Sequence, residues 1–522
     1  MNRVAASYVG AAKAAVAIAF LFSSLISAGA RAEEEYDFSA FDAYVEQEMQ
    51  KWRVPGVAVA IVKKDRVLHM RGYGVREIGK PGAVDADTVF AVGSNGKSFT
   101  SVMIGALQDK GLLNYKDPIA TRLPGFRMVD PYATYNVTFE DALGHMTGLP
   151  EQSGLGAWYL LGASPEEMVK LVASIPPASP YRGRFAYNNT MFTVAAAAAS
   201  AVTGKSYDEL MKQYVLGPLG MTRSGMTLAA TKQKNVASPH AFQGGQPVSV
   251  PYHPIVGAAA AGALNSSVRD MSKYVRMLMN DGEVDGHRIL SPETAAQMQT
   301  ERHIFVDDEM MDMRGVLSLA EDPARAKSFG YGLGIGKMVY DGADYSLHGG
   351  GIDGMTSWMV WSAEDDIGFI ALTNSGNIAF PALLMFKALN PFIGLPDDDA
   401  LTRMEPAIDA IIADAPTPQP DEVLPAIVGP EALVGRYSNI NGAFNVRTVG
   451  DQTIITLEKM GYKGELAHVS GPLYWIKWEN PALPGFGLEA VTGSDGDFVG
   501  LREAEGDGQF LFPADRVFLL EK

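Results

Sequence analysis

A serine and a lysine three residues apart carry the strongest chemical signal in the sequence. The run Ser94-Asn95-Gly96-Lys97 follows an apolar stretch and is expected to open a helix. Residues three apart on a helix share a face, so the Lys97 amine is expected to face the Ser94 hydroxyl. A serine needs a base to become a strong nucleophile, and a lysine with a lowered pKa can be that base. The alternative is an N-cap serine beside an unrelated surface lysine.

The run Tyr187-Asn188-Asn189 is a second candidate element. A tyrosine beside a lysine can relay protons between a nucleophile and a leaving group. The Asn189 side chain offers both a donor and an acceptor to a substrate amide. The same pattern recurs at Tyr437-Ser438-Asn439, where it lies among short β-type runs and is interpreted as structural.

The run His348-Gly349-Gly350-Gly351 is the third element, and it precedes a strand-like segment, Ser357 to Trp361. Glycines allow backbone N–H groups to approach a ligand closely, so His348, Gly350 and Gly351 are candidate substrate-binding residues. The alternative is a loop with an exposed histidine. With an unperturbed pKa of about 6.5, His348 is expected to be mostly neutral at neutral pH and to tolerate substrates without a carboxylate.

Composition excludes several classes of function. The net charge of −17 would repel phosphates, which argues against nucleic-acid binding. The chain has no cysteine, so disulfides and thiolate ligands are impossible. We see no metal-binding or phosphate-binding motif and expect no metal and no cofactor. The expected partner is a small-molecule or peptide substrate, and the sequence does not indicate an oligomeric state.

Residues 1–32 resemble a secretory signal peptide. A positive start and an apolar run lead to Ala30-Arg31-Ala32, a small-x-small cleavage signal before Glu33. The alternative is a retained membrane anchor. With cleavage, the mature protein is expected in the periplasm or outside the cell. No later apolar run is long enough to span a membrane.

The rest of the chain divides into three parts by pattern. Residues 33–405 alternate helical and strand-like segments. The pattern predicts a helix at 38–52, a hairpin from Val57 to Tyr73, a helix at 97–112 and a helix start at Ser266-Ser267. Residues 406–430 contain six prolines and are interpreted as a linker. Residues 431–522 show short alternating runs between turns, which predicts a small all-β barrel or sandwich. This second domain is expected to restrict access to the site.

The order and spacing of the three elements resemble the penicillin-recognising serine hydrolases. Further motifs resemble the class C β-lactamase-like branch, which also includes D-aminopeptidases, D-alanyl-D-alanine carboxypeptidases and esterases. The resemblance covers about residues 38–390, and its additional motifs are Val54-Pro55-Gly56-Val57, Arg71-Gly72-Tyr73-Gly74, His145-Met146-Thr147-Gly148-Leu149, Pro218-Leu219-Gly220-Met221 and the segment Gly262 to Met271. Leu433-Val434-Gly435-Arg436-Tyr437 resembles the lipocalin-like domain of D-amino-acid-specific relatives.

The resemblance implies an α+β fold of the β-lactamase/transpeptidase type, in which an antiparallel sheet flanked by helices packs beside a helical domain. It implies Ser94 as the acylated nucleophile and Lys97 and Tyr187 as the acid–base pair. It also implies Asn189 as a ligand of the substrate amide, and the N–H groups of Ser94 and Gly351 as the oxyanion hole. A Ser-His-Asp triad through His145 is the competing hypothesis.

The third motif differs from that of the class C β-lactamases, and the difference affects the expected substrate. Class C β-lactamases have Lys-Thr-Gly at the third motif, whereas this chain has His348-Gly349-Gly350, as in the peptidase and esterase relatives. The expected function is therefore an exported serine hydrolase that forms an acyl-enzyme on Ser94. Its expected substrates are amides or peptides, including those with D-amino acids. A carboxylesterase of the same fold, a weak β-lactamase and a penicillin-binding sensor without turnover are the alternatives.

Overall fold

The computed structural model describes residues 36–306, 325–395, 400–413, 420, 422–504, 512 and 515–521. The predicted signal peptide, residues 1–32, lies outside the described residues. The structure forms one compact unit from Ala43 to Lys522, preceded by a short unit that ends at Asp42. The larger unit contains every candidate site residue.

The β-strands alternate with α-helices along the first three quarters of the described chain and then follow one another without helices. The strands are β1 (Gly56–Val62), β2 (Val67–Gly74), β3 (Phe90–Ala91), β4 (His240–Gln243), β5 (Gln246–Ser249), β6 (Asn265–Ser266), β7 (Glu283–Val284), β8 (His287–Arg288), β9 (His303–Ile304), β10 (Ala326–Tyr331), β11 (Gly336–Tyr340), β12 (Ala343–Ile352), β13 (Met355–Ser362), β14 (Ile367–Thr373), β15 (Gly435–Asn439), β16 (Gly442–Val449), β17 (Gln452–Leu457), β18 (Lys463–Ser470), β19 (Leu473–Trp478), β20 (Gly487–Thr492), β21 (Phe498–Glu503) and β22 (Val517–Leu520). The helices are α1 (Ser39–Lys51), α2 (Gly96–Asp109), α3 (Pro131–Asn136), α4 (Phe139–Leu143), α5 (Pro165–Leu171), α6 (Asn189–Thr203), α7 (Tyr207–Met211), α8 (Leu228–Thr231), α9 (Ala259–Gly262), α10 (Val268–Met279), α11 (Pro292–Gln299), α12 (Ala379–Leu389), α13 (Ala400–Arg403) and α14 (Ile408–Ile411).

An eight-stranded antiparallel sheet runs through the part of the chain that precedes residue 406, which we call the body. Its strand order is β2-β1-β14-β13-β12-β11-β10-β9. Every residue of β1, β13 and β14 is buried, because α10 packs on the sheet at β1 and β14 while α12 packs at β13 and β14. Strands covered on both faces are apolar throughout, which explains the unbroken run Val57 to Val62. The predicted hairpin is confirmed by the pairing of β1 with β2.

Helix α2 is the buried centre of the body, since all its residues from Gly96 to Leu107 are buried. Its neighbours include α6, α7, α9 and α11, so the helix is enclosed by other helices of the body. The chain leaves it through Gly111, whose φ of +68° suits glycine. The sequence places this helix at 97–112, close to its observed bounds. The predicted start of α10 is also confirmed, because the Ser267 side chain accepts a hydrogen bond from the Asp270 N–H.

The last eight strands close into an antiparallel barrel, β15 to β22, in which β22 pairs with β15. Alternate residues face its interior, including Tyr474, Ile476 and Trp478 of β19. The α+β class and the all-β end of the chain are thus confirmed, and the open choice between barrel and sandwich resolves to a barrel. The proline-rich stretch 406–430 falls partly outside the described residues, and its described part includes α14.

Candidate active site

Ser94 lies in a single 3-10 turn, Gly93–Asn95, that leads directly into α2. The turn is attached to the sheet at Ser357 of β13, whose hydroxyl donates to the Val92 carbonyl over 2.7 Å and accepts from the Asn95 amide over 2.6 Å. The nucleophile candidate therefore stands at the contact between the central helix and the sheet. The sequence did not identify Ser357, because nothing local distinguishes it from other strand serines.

Lys97 is completely buried, and burial lowers the pKa of its amine well below the usual lysine value. Its Nζ lies 3.0 Å from the Ser94 Oγ, 2.6 Å from the Asn189 Oδ1 and 3.3 Å from the Ala261 carbonyl oxygen. A neutral amine has two N–H donors and one lone pair. The Asn189 and Ala261 oxygens accept the two donors, which leaves the lone pair for the Ser94 hydroxyl.

Asn189 is the first residue of α6, and it orients Lys97 in this structure. Its amide nitrogen donates to the Gln152 Oε1 over 2.9 Å, so both ends of the side chain are occupied by protein groups. Gln152 has a φ of +51° and its own N–H donates to the Tyr187 carbonyl. The sequence missed Gln152, because a lone glutamine in a turn carries no recognisable pattern.

The Tyr187 side chain contacts both Lys97 and Ser94. Lys97 Nζ lies 4.5 Å from the centroid of its ring, and its hydroxyl interacts with Ser94. Burial raises the pKa of the Tyr187 phenol, and the interaction with Ser94 offsets only part of that rise. The phenol is therefore protonated at neutral pH and able to donate a proton, while the lysine is able to accept one.

His348 is buried in β12 and is fully engaged by protein groups. Its Nδ1 lies 2.6 Å from the Gly349 carbonyl and must donate to it, so its Nε2 accepts from the Tyr331 hydroxyl at 2.8 Å. Burial, with Lys97 nearby, lowers the pKa of His348 to about 3. This lowered pKa agrees in direction with the neutral form expected from the sequence, whereas the exposed-loop alternative is wrong because His348 is buried within β12. Tyr331 is a residue the sequence missed.

The glycines after His348 lie in strand β12 itself and not in a loop before a strand. A Cβ on Gly350 would lie 2.0 Å from the Val92 carbonyl and 3.0 Å from the Ser94 nitrogen. Gly93 has a φ of +52°, and a Cβ there would lie 2.8 Å from the Gly351 nitrogen. Strand and turn thus touch backbone to backbone, which brings the Gly351 N–H beside Ser94. Such proximity is one requirement of an oxyanion hole built from these two N–H groups.

His145 lies behind Tyr187, with ring centroids 4.4 Å apart. Its Nδ1 accepts from the Asn188 N–H over 2.9 Å, and burial lowers its pKa well below the usual value. The ring is enclosed by Phe185, Phe192 and Tyr331. Its hydrogen bond holds the backbone next to Tyr187, which is a structural role, and nothing in this geometry supports a triad through His145.

Two cavities meet at Ser94. One, of about 870 Å³, is bounded on its far side by the barrel residues 475–485. The other, of about 710 Å³, is lined by aromatic rings, including Phe185, Phe329 and Trp358. Ser94 and Tyr187 border both cavities. A scissile bond at Ser94 would therefore have space for one substituent on each side.

Residues 41–388 match the family model described as Beta-lactamase. The chain therefore belongs to the Beta-lactamase family, whose members are serine hydrolases. Within that family it combines the hydrolase body with a carboxy-terminal barrel.

One similar curated protein is the unguisins hydrolase ungD of Aspergillus violaceofuscus, which is 27% identical over 376 residues. The match covers 69% of this chain and 65% of the relative, so the chain spans slightly less than two thirds of that protein. Protein Rv1367c of Mycobacterium tuberculosis is 28% identical over 327 residues, which cover 55% of this chain and 80% of the relative.

Solved structures agree on the fold. The octameric penicillin-binding protein homologue from Pyrococcus abyssi superposes with a TM-score of 0.58 at 22% identity, covering 93% of this chain and 100% of that chain. A D-stereospecific amidohydrolase from Streptomyces sp. gives a TM-score of 0.51 at 21% identity, covering 65% of this chain and 95% of that chain. The first alignment extends over both the body and the barrel, and the second over about two thirds of the chain.

Proposed function

We propose that this protein hydrolyses amide bonds in small or peptide substrates through an acyl-enzyme on Ser94. One observation carries the proposal: the buried Lys97 amine lies 3.0 Å from the Ser94 Oγ and contacts the Asn189 and Ala261 oxygens. In its neutral form, which burial favours, the amine gives its two N–H groups to those oxygens and its lone pair to the Ser94 hydroxyl. Buried titratable groups with strongly shifted pKa values concentrate at functional sites.

Acylation begins when the Lys97 amine takes the Ser94 proton and the Ser94 Oγ attacks the substrate carbonyl carbon. The N–H groups of Ser94 and Gly351 stabilise the resulting oxyanion. Tyr187 gives its phenol proton to the leaving nitrogen as the carbon–nitrogen bond breaks, and the proton held by Lys97 restores the phenol. A water molecule then loses a proton to the same pair and attacks the acyl carbon. The bond between that carbon and the Ser94 Oγ breaks, the pair returns the proton to the Oγ, and the acid product leaves.

The preference for amides and uncharged ends follows from His348, which is neutral and already bonded to Tyr331 and Gly349. It offers no fixed cation to a substrate carboxylate, which disfavours efficient β-lactam hydrolysis. D-stereospecific amide hydrolysis is named for the Streptomyces amidohydrolase, and hydrolysis of unguisins for the Aspergillus relative. We propose amide hydrolysis here, with D-amino-acid amides among the substrates.

Ester hydrolysis is the second candidate. The aromatic lining of the smaller cavity suits an apolar acyl or alkoxy group, and an alkoxide leaves without the full protonation that an amine requires. Both candidates use the same residues. They differ in how strongly the reaction depends on proton donation from Tyr187.

A substrate panel tests these assignments. The panel contains a D-amino-acid amide, its L-isomer, a p-nitrophenyl ester and a cephalosporin, and we expect the highest kcat/KM with the D-amide. A fluorophosphonate should label wild-type protein on the Ser94 peptide, as read by mass spectrometry. Ser94→Ala should abolish labelling and turnover, whereas Ser101→Ala, which loses only a hydrogen bond to the Lys97 carbonyl, should retain both. Labelling on another peptide would disprove the assignment.

We also propose that the protein is exported, on the basis of the signal-like residues 1–32. Among the residues that the structure describes, no helix combines the length and apolarity needed to cross a bilayer. Amino-terminal sequencing of protein from the periplasmic and culture fractions tests the proposal, with Glu33 as the expected first residue.

A further inference from the structure

A cluster of four polar side chains joins the barrel to the body near Ser94. Tyr159 comes from the π-helical turn Gly156–Leu160, His253 from the chain after β5 and Asp353 from the turn between β12 and β13. Tyr462 comes from the β17–β18 connection of the barrel. The His253 ring stacks between the two phenols, with centroids 4.4 Å from Tyr159 and 5.7 Å from Tyr462.

The Asp353 carboxylate is the polar centre of this cluster. It is buried, and its Oδ1 accepts a hydrogen bond from the Tyr159 hydroxyl. Its Oδ2 lies 3.1 Å from the His253 Nδ1, and the same nitrogen lies 3.1 Å from the Tyr462 Oη. A buried carboxylate is stable only where such partners surround it. The barrel acts on this carboxylate indirectly, because its Tyr462 contacts the His253 ring that lies against the Asp353 Oδ2.

Asp353 also occupies the tip of the hairpin that carries the Gly351 N–H. Asp353 and Gly354 form the two-residue turn between β12 and β13, with Gly354 at a φ of +69°. On its other side the turn is held by the main chain of His240, whose backbone N–H donates to the Gly354 carbonyl over 2.9 Å. The tip is thus fixed from two directions, two residues away from Gly351, whose nitrogen lies next to the turn that carries Ser94.

We propose that Asp353 is a positioning residue for the oxyanion hole, and that the barrel acts on the reaction through Tyr462. The cluster holds the hairpin tip, and the tip sets the distance between the Gly351 N–H and the Ser94 Oγ. The proposal rests on the proposed function, in which that N–H stabilises the oxyanion. Loss of an entire oxyanion donor typically lowers kcat by about 100- to 1,000-fold, so misplacing one should cost part of that.

The test compares Asp353→Asn and Tyr462→Phe with Lys459→Gln. Lys459 lies in the same barrel connection and makes an exposed ion pair with Glu167 of the body, so its loss weakens barrel docking without touching the cluster. Each full-length protein is assayed for kcat and KM with a p-nitrophenyl ester, for the rate of fluorophosphonate labelling and for Tm.

We expect Asp353→Asn to lower kcat and the labelling rate at least about ten-fold, and Tyr462→Phe about three-fold, with KM within about two-fold of wild type. Lys459→Gln should match wild type in both rates. Because the two side chains act through one cluster, the double variant should lose little more than Asp353→Asn alone.

Unchanged kcat and labelling rate with a lowered Tm would make the cluster purely structural and overturn the proposal. A rise in KM alone would also overturn it, because the cluster would then bind substrate. If Asp353→Asn does not fold, Tyr462→Phe decides the question, since it removes one oxygen from a half-buried side chain. Absence of Ser94 labelling in the wild type would instead refute the proposed function.

Discussion

The same tripeptide pattern, Tyr-x-Asn, occurs once in the body and once in the barrel, with opposite consequences. Tyr187 and Asn189 direct their polar atoms at Ser94 and Lys97. In the barrel, Tyr437 donates to the Leu433 carbonyl over 2.7 Å, and the Asn439 amide donates to main-chain carbonyls of the closing strand segment. The comparison shows that the partner of the side chain, and not the pattern, decides its role.

Removal of each tyrosine hydroxyl should have opposite effects on activity and stability. Tyr187→Phe should lower kcat for an amide by about 100-fold or more, the scale of lost proton transfer. Tyr437→Phe should leave kcat unchanged and lower the free energy of unfolding by about 1–2 kcal/mol, because a buried carbonyl loses its donor. Steady-state kinetics and urea denaturation measure both. Equal losses of kcat in the two variants would contradict the distinction.

The second test asks whether the body site acts as a unit. Lys97→Met and Tyr187→Phe each interrupt the same proton path, so the double variant should be about as slow as the slower single variant. The measurement is kcat for all four proteins on one amide substrate. Multiplicative losses would mean that the two residues act in separate steps.

The third test concerns the stability cost of a buried neutral lysine. In the unfolded chain Lys97 binds a proton up to a pH near 10.4, whereas in the folded protein its pKa is well below that value. The unfolded state therefore holds more protons in this window, and stability rises with pH between the two pKa values. At pH values between the two pKa values the free energy of unfolding should rise more steeply with pH in wild type than in Lys97→Met, by at most about 1.4 kcal/mol per pH unit.

If the free energy of unfolding changes with pH equally in the two proteins, the Lys97 amine is charged in the folded state. That outcome would remove the physical basis for its role as a base. A control series on Lys459→Gln, an exposed barrel lysine, should show the wild-type slope.

The smallest expected effect concerns His348. Because its pKa is about 3, the ratio of kcat/KM for a free-acid and an amide substrate should show no histidine-dependent change between pH 5.5 and 8.5. His348→Lys should shift the ratio towards the free acid by about five-fold, equivalent to ~1 kcal/mol. A wild-type ratio that changes around pH 6.5 would mean that substrate binding exposes the imidazole.

The sequence was most informative where chemistry depends on local spacing. Ser94 and Lys97 are three residues apart on one helical turn, and the barrel strands alternate at period two, so both could be predicted from the chain alone. Strands β15, β18 and β20 could not be predicted from this alternation, because their glycines and polar residues interrupt it. Strand β1 could also be predicted, because burial of both its faces requires a continuous run of apolar residues.

Contacts between segments that are distant in sequence could not be predicted. Gln152 and Tyr331 contact Asn189 and His348 only after the body has folded, and neither lies in a recognisable motif. The pKa of His348 depends on its enclosure, which no residue next to it in sequence reveals. The same holds for the Asp353 cluster, since its members come from four separate segments.

The backbone contact between Gly93 and Gly350 limits how this site can evolve or be engineered. A library randomised at Gly350 should yield almost no soluble active clones, because even an alanine methyl group would overlap the Val92 carbonyl. One position later, the space around Gly351 is open apart from Ile378, whose nearest atom would lie 4.0 Å from a Cβ at that position. Positions 350 and 351 therefore differ sharply in the side chains that they can accommodate. Directed evolution of substrate preference should start from Gly351 and Ile378.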